Sequence, residues 1–258
     1  MTMSGMDKII IERSGPVKTV WMNRPEKRNA LDSEMLREMT AALRAPVAAD
    51  DRVVVIRGKG PSFCSGLDMA RRRESMGSGQ PSGIEETLRA IELCPLPVIA
   101  VVQGDAIAGG NELALHCDLV VASETARFGM SLAQVGLAPN WFLAKKLMEV
   151  LGPVTTRERL LLGEPLLATR LHALGAIARC VPENMLEAET DKMIGRLAAN
   201  APLSLKAMKA LTVRQLEIRD GIPHDDVDAL VRAALTSEDA REGMLARLEK
   251  RAARFQGR

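Results

Sequence analysis

Tyrosine is absent from this chain, and the other large aromatics are scarce, with Trp 2 and Phe 4. That scarcity removes the stacking platforms on which single-stranded nucleic acids are held. Charge of one sign is lacking too: 35 Lys and Arg stand against 33 Asp and Glu, a formal net charge of +2. No global field draws such a chain onto nucleic acid or an anionic lipid surface. The four cysteines, Cys64, Cys94, Cys117 and Cys180, form neither a CxxC pair nor a zinc-ligand spacing, and read as reduced thiols. The three histidines, His116, His172 and His224, fall in no pattern that ties them to a metal or a nucleophile, and read as structural or surface residues. Near the N-terminus the apolar run stops at Glu12 and Arg13, too short for a signal peptide or a membrane span, so the expectation is a soluble cytoplasmic protein with no membrane partner.

What is there is ordinary globular material. Apolar residues make up 47% and charged residues 26% of 258 residues, enough for one large domain or a domain with an appendage. Runs 9–12 and 17–22 are β-rich and are separated by Ser14, Gly15 and Pro16, which predicts a hairpin. Asp32 or Ser33 caps a helix whose apolar face is Met35, Leu36, Met39, Ala42 and Leu43, and Pro46 stops it. The continuous apolar runs 53–56 and 98–102 predict strands buried on both faces, each running into a glycine-containing loop. Between them 84–93 reads as a helix, and 75–83 (SMGSGQPSG) as a mobile surface loop. A short helix from Asn111, a strand over 119–122 and helices over 143–151 and 155–162 follow. From Glu183 onward no strand is expected, and 202–215, 225–234 and 237–254 read as amphipathic helices. The domain reading is a core over 1–200 and a helical unit over 201–258, which either packs against another subunit or covers its own sheet.

Familiar phosphate and nucleophile motifs fail. A G-x-G-x-x-G reading after the 53–56 strand puts Phe63 at the third glycine, no Walker A spacing exists, and neither Ser62 nor Ser65 lies in G-x-S-x-G. Two loops remain, 63–69 (FCSGLDM) and 106–118 (AIAGGNELALHCD). In the second, Gly109 and Gly110 precede a short helix whose free N–H groups can hold an anionic oxygen, and Glu112 lies in its first turn. Two N–H groups converging from the loops would make an oxyanion hole, with Glu112 as a proton-transfer group. Alternatively, the glycines only make tight turns and Glu112 complements the helix dipole.

These residues resemble a known family. VWMNRPEKRNALD (20–32) is similar to the L-N-R-P-…-N-A-L segment of the crotonase superfamily, the enoyl-CoA hydratase/isomerase family. SFCSGLDM resembles its F-x-A/S-G-x-D loop, VVQGDAIAGGNELALHCDLVVAS (101–123) its central signature, and SEDAREGMLARLEKR (237–251) its C-terminal motif. The match is collinear from about residue 9 to 254. The resemblance implies an α/β fold, a crotonase-like spiral of ββα units followed by an all-helical trimerisation domain, assembled as a homotrimer or homohexamer. It further implies an acyl-CoA thioester substrate, with coenzyme A as part of that substrate and no separate cofactor or metal. The backbone N–H groups of Ser65 and Gly109 would form the oxyanion hole and Glu112 would act as acid and base. Lys27, Arg28, Ala30, Ser65, Gly66, Leu67, Asp68 and Gly109 would line the coenzyme A path, and Lys250 would reach a phosphate.

The departures from the family pattern bear on the chemistry. The stretch that carries a second catalytic glutamate in the hydratases reads GMSLAQVGLAPN here (129–140), which puts Leu132 at the glutamate position. Asn140 and Trp141 replace small residues, so the pocket wall is expected to change in size and polarity, with Asn140 available to hydrogen-bond a substituent or water. The expectation is an enoyl-CoA hydratase/isomerase-family enzyme that is weak on simple straight-chain enoyl-CoA. A double-bond isomerase or another single-base reaction is one alternative, and an acyl-CoA-binding protein that has lost catalysis is the other.

Overall fold

The computed structural model describes residues 8–68 and 83–258, so most of the 75–83 loop, and Met69, lie outside the described residues. The expected hairpin is β1 (Ile9–Ser14) and β2 (Val17–Met22), antiparallel from Ile9↔Met22 to Ser14↔Val17 and turned at Gly15, whose φ is 53°. Helix α1 (Ser33–Arg44) starts where the Asp32 side chain accepts the Met35 N–H at 2.9 Å, and it buries the five apolar residues of its stripe. Then come β3 (Val53–Gly58), α2 (Ile84–Leu93), β4 (Val98–Val102), β5 (Ala106–Ile107), α3 (Gly109–His116), β6 (Leu119–Ser123) and β7 (Arg127–Gly129). Helix α4 (Trp141–Leu162) is two helices joined at Gly152, φ 70° and ψ 172°, followed by Pro153, so its halves match the two helices expected there. The chain continues through β8 (Leu166–Leu167), α5 (Ala168–Ala173), β9 (Arg179–Val181), α6 (Leu186–Ala198), α7 (Pro202–Leu216), α8 (Asp225–Thr236) and α9 (Glu238–Leu248).

Six strands form one sheet in the order β1-β2-β3-β4-β6-β9, parallel from β2 onward. Its central strands are apolar throughout because both faces are covered. Val54, Ile56, Val98 and Ala100 face α1, α2 and α3, whereas Val53, Val55, Ile99 and Val101 meet Leu186, Met193 and Ile194 of α6. A second sheet, β5-β7-β8, has strands of two or three residues, too short for any periodic signal in the sequence. It matters because β5 pairs with β7 (Ala106↔Phe128, Ile107↔Gly129) immediately before α3 and thereby sets where α3 begins.

Helix α9 stops at Leu248, short of the expected 254. Lys250 takes φ 56°, which turns the chain back so that Arg251 forks onto Glu242 (2.6 and 2.8 Å). The Asp239 carboxylate then accepts the N–H groups of Gln256 and Gly257. The helices after residue 201 are tied to the core at several places. Lys209 Nζ donates to the carbonyls of Ile91 and Leu96 and pairs with Asp118 at 2.7 Å, and Ala240 and Met244 pack on Val135 and Leu137. Leu203 and Leu230 nevertheless stay 80% and 71% exposed, and Met208, Leu211 and Ile218 are exposed beside them. Among the described residues no helix is long and apolar enough to cross a membrane.

Candidate active site

Three segments distant in sequence are stitched into one wall. Asn29, fully buried and held at φ 55°, donates from its side-chain amide to the carbonyls of Lys59, Ser62 and Phe63. Leu31 N–H donates to Gly66 O and Asp68 N–H to Leu31 O, both at 2.8 Å, while Cys64 N–H reaches Asp105 O and Ile107 N–H reaches Cys64 O. The 24–31 segment, the 63–68 loop and the β5–α3 turn therefore share backbone hydrogen bonds. At their meeting point a side chain has no room. Gly66 has φ 90°, and a Cβ there would sit 2.8 Å from Ile107 O and 3.2 Å from Gly109 N, while one on Gly110 would lie 2.2 Å from Cys64 O. Asn29 stood inside a recognised motif, but nothing local marked it as the hub.

The amides can now be assigned. Gly109 opens α3, so its N–H has no acceptor within the helix. Ser65, expected to supply the second oxyanion donor, cannot do so: its N–H already donates to Arg28 O at 3.0 Å, and its hydroxyl to Lys27 O at 3.3 Å. Two residues on, the Leu67 N–H has no hydrogen-bond acceptor among the described residues, and its peptide follows Gly66, where a Cβ would lie 3.2 Å from Gly109 N. Leu67, not Ser65, is the donor that this geometry leaves available.

Ala108, which precedes α3, has φ 47° and ψ −113°, a region natural to glycine. Its N–H donates to Gly129 O at 2.7 Å and its carbonyl accepts from Glu112, which holds it there. Ala108→Gly should therefore stabilise the fold by about 1 kcal/mol, the relief of strain exceeding the added backbone entropy of glycine. A melting temperature equal to or below that of the parent would contradict the strain.

Glu112 is fully buried, and burial pushes its carboxyl up to about 8, against the pull of the Asn111 hydrogen bond and of the Arg159 and Lys146 charges. Asn111 Nδ2 donates to Oε1 at 3.4 Å, and Oε2 has no hydrogen-bond partner among the described residues. On the next turn, His116 sits 2.8 Å from the Glu112 carbonyl, which can only accept, so Nδ1 carries the proton. Burial and the nearby Lys146 hold that imidazole well below its ordinary value, so it stays neutral. The carboxyl is thus mostly protonated at neutral pH and becomes a base as the pH passes about 8.

A stability consequence follows. Between about 4.5 and about 8 the folded chain keeps a proton on Glu112 that the unfolded chain releases, so this group's contribution is full at low pH and is lost as the pH rises through about 8. His116 acts in the opposite sense, but only as the pH falls through 6.5. From about pH 6.5 to 8.5, the melting temperature of Glu112→Gln should therefore fall less steeply than that of the parent. Parallel slopes would mean that the carboxyl is not raised.

Among the described residues, no carboxylate is one of the groups that perturb Glu112. Leu132 stands partly buried between the main core and the Val135–Met244 cluster, so its position offers no acid or base. Asn140 is not free to meet a ligand: its Oδ1 caps α4 by accepting Leu143 N–H at 2.9 Å, and its Nδ2 donates to Glu85 at 3.1 Å. Trp141 donates to Arg219 O and stacks on His224 at 4.5 Å, so it binds α4 to the C-terminal helices. Lys27 and Arg28 are exposed and Ala30 half-buried on the stitched wall, and Arg24 Nη2 pairs with Asp68 at 3.2 Å. Lys250 is exposed just beyond α9, which packs on Ala133–Val135, and it takes no part in the contacts that join the loops. All four cysteines are free, and burial pushes the Cys64 thiol up to about 12.

Known proteins resemble this chain over nearly its whole length. Residues 12–258 match the family model described as enoyl-CoA hydratase/isomerase. An enoyl-CoA hydratase of Mycobacterium tuberculosis is 33% identical over 267 residues, covering 99% of this chain and 98% of the relative. The crystal structure of an enoyl-CoA hydratase from Mycobacterium avium subsp. paratuberculosis superposes with a TM-score of 0.83 at 30% identity, covering 96% of this chain and 98% of that one. Methylmalonyl-CoA decarboxylase complexed with 2S-carboxypropyl CoA reaches a TM-score of 0.90 at 25% identity, covering 99% of this chain and 100% of that one. With residues 12–258 matching the family model and a relative 33% identical across 99% of the chain, this chain is an enzyme of the enoyl-CoA hydratase/isomerase family.

Proposed function

We propose that the protein binds an acyl-CoA thioester, polarises the thioester carbonyl with the N–H groups of Leu67 and Gly109, and moves protons with a single carboxyl, Glu112. The observation that carries this reading is the protonatable, fully buried Glu112 in the first turn of the helix that Gly109 opens, with no second carboxylate among the described residues that act on it. Two N–H donors lower the energy of an enolate far more than that of the neutral thioester. Ionised Glu112 then takes an α-proton, or its protonated form returns one. Lys27, Arg28 and the 65–68 backbone line the coenzyme A path, and the exposed apolar helices after residue 201 build a homotrimer or a pair of trimers.

Hydration divides its labour between two groups, one activating water and one handling the α-proton. General acid–base help is worth about 10²- to 10⁴-fold, so a chain with Leu132 in place of one carboxylate should hydrate crotonyl-CoA slowly. Two reactions need only one carboxyl. A double-bond shift can use the same base twice, and decarboxylation of a malonyl-type thioester needs only the oxyanion hole and one proton delivered to the enolate. The neighbour that carries 2S-carboxypropyl CoA favours including the latter. Incubation with α,β-enoyl-CoA, β,γ-enoyl-CoA and methylmalonyl-CoA, followed by mass spectrometry and chromatography of isomers, separates water gain, rearrangement and CO₂ loss. Leu132→Glu should raise crotonyl-CoA hydration by ~10-fold or more. Rapid hydration by the unaltered protein would overturn the single-carboxyl reading.

A further inference from the structure

Arg159 is the largest fully buried side chain among the described residues, 1% exposed, and nothing in the mechanism above uses it. It lies in the second half of α4, which the Gly152–Pro153 break re-aims, and its Nη2 donates to Asn111 Oδ1 at 3.0 Å. Neither Nε nor Nη1 has a hydrogen-bond partner among the described residues. Stability does not account for such a group, since replacing a buried ion by an apolar residue of similar volume is often neutral or stabilising.

Its effect on its neighbour is specific. A guanidinium only donates, so Asn111 must turn its oxygen to Arg159, and its NH₂ must then face Glu112 Oε1. The side-chain amide therefore has one orientation, and it offers the carboxyl a donor on one oxygen while Oε2 is left unengaged. We propose that Arg159 is a positioning residue: acting through Asn111, it holds the Glu112 carboxyl so that Oε2 is the oxygen that exchanges protons with the substrate. The proposal rests on the single-carboxyl reading of Glu112.

Among the described residues the surrounding charges are few. On its own helix Glu112 has His116, with Nδ1 3.6 Å from Oε2. From α4 come Arg159 and Lys146, and Lys146 is itself paired with Glu92 of α2 at 2.5 Å and with Glu149 at 3.5 Å. Arg89 of α2 and Lys145 of α4 flank Phe142, the ring that lies 5.1 Å from His116. Strands β4, β5 and β6 contribute no ionisable side chain. Arg159 is the one of these cations joined to Glu112 through a hydrogen-bonded side chain.

The test uses Arg159→Met, Asn111→Ala, the double variant and Arg159→Lys in the full chain. Two readouts are taken: the Glu112 carboxyl titration by difference infrared spectroscopy with Glu112→Gln as blank, and α-proton exchange of butyryl-CoA in D₂O. Arg159→Met and Asn111→Ala should each raise the titration midpoint and slow exchange ~10-fold or more, with butyryl-CoA affinity within about threefold. The double variant should be no worse than the poorer single one, because the two residues act in series, and Arg159→Lys should recover part of the loss. A lowered melting temperature with an unmoved midpoint and exchange rate, or losses that multiply in the double variant, would overturn the proposal. If Arg159→Met does not fold, Asn111→Ala alone decides by the same two readouts. A parent protein that exchanges no α-proton overturns the single-carboxyl function instead, while the titration still reads the Arg159 linkage.

Discussion

Glu112→Gln should slow α-proton exchange of butyryl-CoA, and turnover of whichever thioester proves to be the substrate, by ~100-fold or more while acyl-CoA affinity stays within a few-fold. The substitution keeps the volume of a fully buried side chain and its hydrogen bond with Asn111, but it removes the carboxyl proposed to move protons. Binding is left to the backbone wall and the exposed Lys27 and Arg28, which the change does not touch. The parent's rate should also climb as the pH approaches about 8, where the buried carboxyl becomes a base, and that rise should vanish in the variant. Isothermal titration with butyryl-CoA and mass-detected exchange across this pH range give both quantities. Unchanged exchange would remove Glu112 from the mechanism.

Gly109→Pro should be more damaging still. Proline is tolerated at the first position of a helix, where its missing N–H would have no intrahelical partner, so α3 itself should survive. What disappears is one of the two oxyanion donors, a loss of roughly 3 kcal/mol in transition-state stabilisation, or 10²- to 10³-fold in rate. The ring also brings carbon to a position where a Cβ would lie 2.8 Å from Ile84 Cδ1 and 3.3 Å from Leu31 Cδ1, so those two side-chain ends have to shift as well. Because Ala108 is already held at φ 47°, the residue before the proline has little freedom to adjust. The expected result is exchange below that of Glu112→Gln, with circular dichroism close to the parent. Exchange within tenfold of the parent would show that the Gly109 N–H is not an oxyanion donor.

Part of this protein was legible before any coordinates. The Asp32 cap with its 3.6-residue stripe, the two-faced strands at 53–56 and 98–102 and the separate helices over 143–151 and 155–162 are written in local pattern, because each depends on residues within a turn or a strand of one another. Glu112 and Gly109 were legible for the same reason: one glycine-rich helix start carries both the donor and the carboxyl. The family's collinear motifs identified the loop that faces them.

Other features required the folded chain. Which amide on the 63–68 loop is unused depends on a hydrogen bond from Ser65 to Arg28, across the loop to a segment 37 residues earlier, and no motif records which N–H is already spent. Asn140 looked like a ligand group until its cap and its Glu85 partner were seen. The second sheet has strands too short to carry a period, yet it sets the start of α3. Arg159, 48 residues from Asn111, reads in sequence as one more polar residue on a helix. Its burial against α3 is a property of how α3 and α4 pack, and the pKa of Glu112 follows from that packing because desolvation is set by everything that surrounds a group and not by its neighbours in the chain.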